Sequence, residues 1–150
     1  MPISDYLRKK NIMDLVNSIS TSGGYPTTYI ALSSTPPNAD GTGVTEPSGN
    51  GYRRISTKWA NLRNPGENYT SAWPSEPSYD ALNDKYSVTN TADIYWFEAT
   101  GSWGTLGYFA LYDALTGGNL YAYGTLSNAI SPTAGTIPVI RAGDITIIEQ

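Results

Sequence analysis

Glycine and proline punctuate this chain so closely that no long run of regular backbone fits between most of them. There are 15 Gly and 10 Pro in 150 residues, and the intervals between them hold many of the 12 Tyr. Glycine supplies backbone angles closed to other residues and proline removes an amide donor, so a helical bundle would not tolerate this pattern. Short aromatic strands joined by many turns suit it well. The expected fold is mainly β: an antiparallel β-sandwich, jelly-roll-like, with one N-terminal α-helix. A chain of this length suits a single domain and buries about 70% of the surface its unfolded form exposes, enough for a core without covalent staples.

Residues 1–24 read as the helix and a linker. Ser4 followed by Asp5 resembles an N-cap with an acidic first turn, and Ile12, Leu15, Val16 and Ile19 follow at helical spacing until Gly23 and Gly24 stop it. The spacing predicts a helix over residues 4–18, with Arg8, Lys9 and Lys10 on a solvated face or, less simply, in a docking patch.

Residues 25–150 read as the sandwich. Residues 27–33 (TTYIALS) suit a strand covered on both faces, and residues 34–51 (STPPNADGTGVTEPSGNG) collect enough turn signals to form a long surface loop. Residues 52–59 alternate as a half-exposed strand, whereas residues 61–85 show no lasting period and read as a long loop or insertion. Further strands are expected at 86–89, 93–98, 106–113, 119–126, 136–141 and 144–148, with hairpins at Thr116, Gly117 and Gly118 and at Ala142 and Gly143. Pro138 is expected at an edge or bulge.

Composition narrows the function. Cys and His are both absent, which removes thiol chemistry, disulfides, thiolate zinc sites and the side chain most used for proton transfer near neutral pH. Nine basic and 13 acidic residues leave a net charge of -4, so no basic field is present to hold a nucleic acid. No signal peptide and no membrane span is expected.

Candidate chemistry is correspondingly sparse. Asn38, Asp40 and Glu46 could offer oxygen ligands to calcium, but their spacing fails the EF-hand pattern and Asx residues beside Gly more simply form turns. Asp80, Asp84, Asp93 and Glu98 would be the acids of a glycan hydrolase if two of them faced each other. No catalytic residue, metal or cofactor is expected. Tyr69, Trp73 and Tyr79 lie in a segment too polar to bury them all, so they are candidate stacking faces for a sugar or anchors for a protein.

Two long stretches carry a resemblance. Tyr29, Ala31, Leu32, Thr35 and Pro37 are followed by Val44, Thr45, Glu46, Pro47, Ser48, Gly49, Gly51, Tyr52 and Arg54. Ala99, Thr100, Trp103, Gly104 and Thr105 precede Phe109, Leu111, Asp113, Ala114, Thr116, Gly117, Gly118, Asn119 and Leu120, and residues 142–146 close the pattern. In this order they resemble a family of small tailed-bacteriophage proteins commonly labelled phage tail fibre proteins. Residues 61–85 look longer and richer in aromatics than the family pattern.

The resemblance implies a non-enzymatic virion structural protein, in a tail fibre, neck, baseplate or capsid decoration, that docks on other virion proteins and forms a homo-oligomer. Tyr6, Arg8, Lys9, Ile12 and Leu15 of the helix are the expected interface. The alternative is a receptor-recognition module that binds host glycan through Tyr69, Trp73 and Tyr79.

Overall fold

The computed structural model describes residues 4–16, 28–56, 73–74 and 76–148. Ser4 caps the helix as its sequence suggests: its hydroxyl accepts the Leu7 amide at 3.3 Å and its carbonyl the Arg8 amide at 3.0 Å. Helix α1 runs over Asp5–Val16, with Asp5 at its positive end. The last two residues of the expected helix lie outside the described residues. Among those described, no helix is long and apolar enough to cross a membrane.

Nine strands follow among the described residues: β1 (Tyr29–Ser33), β2 (Ile55–Ser56), β3 (Ser78–Asp80), β4 (Lys85–Thr89), β5 (Ile94–Tyr95), β6 (Leu106–Tyr112), β7 (Leu120–Ile130), β8 (Val139–Ile140) and β9 (Thr146–Ile148). All their pairings are antiparallel, in sheets ordered β2-β1-β6-β7, β3-β4-β9 and β5-β8. The molecule is thus a β-sandwich led by one helix.

The pleat of β1 and β6 explains the layers. Ile30 and Leu32 of β1, with Leu106, Phe109 and Leu111 of β6, point into the main core, where Val88, Ile94, Ile140 and Ile145 meet them from the other sheets. The alternate residues Ala31, Ala110 and Tyr112 point the opposite way and form a second apolar layer under Val44 and Leu120. Residues 34–45 fold back to cover that layer, held by the Thr45 amide on the Ser33 hydroxyl at 2.9 Å and the Ser34 amide on the Thr45 carbonyl at 3.0 Å. β1 is therefore buried on both faces, as its continuous apolar run suggests.

Glycine shapes β6 and β7 in two distinct ways. Gly117 and Gly118, at φ of 61° and 80°, close the hairpin between them. Gly124 sits mid-strand for lack of space: a Cβ there would lie 2.8 Å from the Phe109 ring, which is fully buried across the strand pair.

Three expectations need correction and a fourth holds. Ala142 and Gly143 do form a turn, with Gly143 at φ 90°, but not a hairpin: β8 pairs with β5 and β9 with β4. Within the expected loop at 61–85, residues 78–80 form β3 and Trp73 is buried. Of the half-exposed strand expected at 52–59, only Ile55–Ser56 pair as a strand among the described residues, and the mixed exposure holds there, with Arg54 and Ile55 buried and Arg53 exposed. Pro138 lies as expected: it immediately precedes the edge strand β8 and its carbonyl accepts the Trp96 amide at 2.9 Å, so its missing donor interrupts no described bond.

Candidate docking surface

α1 is fastened to the β3–β4 hairpin by Arg8. Its guanidinium donates to the Asp84 carboxylate at 3.0 Å and to the Asp84 carbonyl at 2.6 Å, and lies 4.9 Å from the Tyr86 ring centroid. Tyr79 donates its hydroxyl to the same carboxylate at 2.9 Å, and its ring packs 4.8 Å from Tyr86. The Arg8 bond, with that of Tyr79, holds the Asp84 carboxyl below the ordinary range, and the Asp84 bond in turn raises the Tyr79 hydroxyl. Ile12, one turn further on, is 3% exposed and belongs to the main core.

This arrangement reassigns the residues expected at an interface. Ile12 and Arg8 face the protein's own sheets, because an apolar side chain and a flat cation are what seat a short helix on a tyrosine-bearing strand. Lys9 is exposed, with its ammonium 5.7 Å from the Tyr86 ring. Leu15 lies within α1, but its side chain is outside the described residues. Tyr6 is 75% exposed, and Leu82, at the tip of the β3–β4 turn, is 92% exposed. The sequence signal for Leu82 is an apolar residue set among Asp80, Asn83 and Asp84 in a turn.

The three aromatic candidates of 61–85 do not form one platform among the described residues. Tyr69 lies outside them, Trp73 is 4% exposed, and Tyr79 is exposed with its hydroxyl engaged by Asp84. Burial removes Trp73 as a stacking face.

The motifs of residues 44–54 and 99–118 converge on a buried clasp. Arg54 meets Glu46 with two bonds, Nε to Oε1 at 3.0 Å and Nη2 to Oε2 at 2.8 Å, and its Nη1 donates to the carbonyls of Ala114 and Gly117, both at 2.8 Å. Its guanidinium carbon stands 3.8 Å from the Tyr112 ring centroid. Burial alone would lower the Arg54 pKa, but Glu46, with Tyr112 and Tyr52, outweighs it and the net shift is upward. Tyr52 donates to Glu46 at 2.7 Å and accepts the Leu32 amide at 3.0 Å, completing the edge of β1 beyond the reach of two-residue β2. Burial and the Glu46 bond push the Tyr52 hydroxyl up. Trp103 packs edge-on against Tyr52 at 5.2 Å and donates its indole N–H to the Asn50 carbonyl at 2.8 Å.

Most of the candidate acids are individually engaged. Asp40 accepts the Thr42 hydroxyl and amide at 2.6 and 2.9 Å, and Glu46 belongs to Arg54, so the oxygen ligands considered for calcium have other partners. Asp80 bonds Asn83 and the Leu82 amide, and Asp93 bonds the Ala142 amide and Arg141. These bonds, led by Asn83 for Asp80 and Ala142 for Asp93, lower both carboxyl pKa values. A general acid of a glycoside hydrolase requires a shift in the opposite direction. Glu98 is exposed.

A sandwich whose described motifs are engaged in holding its own loops has the character of a structural protein. The chain belongs to the family of the podophage GP4 fiber I protein gp80, whose model matches residues 2–148. It is a phage fibre protein located in the virion, where it associates with other virion proteins. No curated protein matches the sequence.

Proposed function

We propose that this chain is a non-catalytic fibre component that docks on another virion protein through the surface where α1 meets the β3–β4 turn. The observation that carries this reading is the exposure there of Tyr6 at 75% and Leu82 at 92%, on two elements that Arg8 fastens together. Large apolar side chains held on a fixed frame can anchor a protein partner at small entropic cost. The non-catalytic part is supported by the absence of His and Cys and by carboxylates that are stabilised in their charged form by neighbouring donors.

The test is incorporation into particles. Tyr6→Glu with Leu82→Glu should leave the purified chain folded, since both side chains are exposed, yet deplete it from purified virions measured by mass spectrometry. Incorporation at the wild-type level would place docking elsewhere, and absence of the wild-type chain from particles would end the reading. Non-catalysis is checked by release of reducing sugar from host surface polysaccharide, with none expected.

A further inference from the structure

Between Glu98 and Arg141 the only charged residue is Asp113, and the 27 residues from 114 to 140 carry no charge at all. That stretch contains β7, at 11 residues the longest strand described, and β7 ends its sheet. One side of β7 bonds β6. On the other, the Ser127 amide reaches the Asp144 carbonyl at 3.0 Å and the Asn128 side chain the Asp144 carboxylate at 2.9 Å. No described strand pairs with the outer edge of residues 121–125.

Natural sheets protect their edges with lysine, proline, inward charge or brevity. The other strands that end sheets here, β2, β3, β5, β8 and β9, have two or three residues each. β7 has neither brevity nor charge nor proline. Its exposed residues at this edge are Tyr121 and Tyr123, 41% and 44% exposed, and Thr125. Beside it, a cleft of about 440 Å³ opens toward β9, where Ile148 is 49% exposed, and among the described residues no charged side chain lines it.

We infer that β7 pairs with β7 of a second copy of this chain, joining two sheets edge to edge. Charge favours this occupant. The chain carries -4, so two copies repel wherever their acids meet, and a strand without charge is the part that can lie against itself with no like-charge opposition. An acidic or basic partner strand would find no complement. Antiparallel pairing of one edge with itself also closes under two-fold symmetry. A register centred on Tyr123 sets that ring against its copy and Tyr121 against Thr125. This inference rests on the fibre reading and names one contact within it.

Sedimentation velocity of the purified chain tests it. A concentration-dependent dimer is expected by about 100 µM, a range that detects even weak association. Tyr123→Lys and Tyr123→Glu should each raise Kd by about tenfold or more through like-charge opposition, with unchanged melting temperature, and mixing the two should restore a one-to-one dimer. A wild-type chain that stays monomeric overturns the inference, as do variants that associate like the wild type or that fail to rescue each other. A monomer that binds host polysaccharide and loses it in Tyr123→Ala would overturn it in favour of a saccharide site. These outcomes are independent of virion incorporation, so a monomer found in particles fails this inference alone.

Discussion

Arg54 and Arg8 each hold a carboxylate, and the contrast between their surroundings separates two regions of the molecule. The Arg54 side chain is 5% exposed, with Glu46 at 25%, and its donors reach two backbone carbonyls of the β6–β7 turn. Arg8 is 14% exposed, but its partner Asp84 is 71% exposed, so water screens that pair far more. The same chemistry therefore serves as part of the interior in one region and as a surface fastening in the other. A buried ion pair is costly to break, whereas an exposed one can be undone with little effect on the rest of the fold.

Four substitution or titration experiments would break or sharpen this contrast. The largest effect is expected from Arg54→Ala, which strands Glu46 and two carbonyls and should cost about 3–5 kcal/mol in urea unfolding. A loss like that of a surface pair would mean that the clasp is solvated. Next, Gly124→Val drives a side chain into Phe109 and should cost about 1–3 kcal/mol, while Gly107→Ala, whose new Cβ would meet only Ala129 at 4.0 Å, should be nearly neutral. Arg8→Ala should lower the melting temperature by no more than about 3 °C. A fall as large as that of Arg54→Ala would erase the distinction.

The smallest effect is one of pH. Asp84 has its pKa lowered by Arg8 and then Tyr79, so its contribution is present above the unfolded carboxyl pKa and is lost as pH falls through the lower folded value. Hydrogen exchange should show α1 amides less protected at about pH 3 than at about pH 5. Asp84→Asn should reduce that difference, and an unchanged pH dependence would remove Asp84 from the helix attachment.

Much of the clasp region is legible in the amino-acid sequence, because its strands are apolar on both faces and its hairpin is signed by Gly117 and Gly118. The capped helix is legible for the same local reason. What escapes is non-local. The Arg8 partner lies 76 residues away, so a basic cluster on a helix reads as solvated. Ala142 and Gly143 announce a reversal of the chain, but they cannot say that the strands on either side will find β5 and β4 instead of each other. β3 is three residues, all exposed, with no alternation to detect. Trp73 stands in a proline-rich segment, where composition says loop and only packing says core.

The pairing of β1 with β6 also determines when the protein can fold. β6 and β7 are neighbours in sequence and can close as a hairpin within microseconds, whereas β1 must wait for Tyr29 to find Tyr112 and Ser33 to find Tyr108 across the stretch of chain that holds β2, β3, β4 and β5. Such separations slow folding to the order of milliseconds to seconds. β1, made before β6, is then expected to be among the later strands to find its place, with the central sheet growing from the β6–β7 hairpin toward β1.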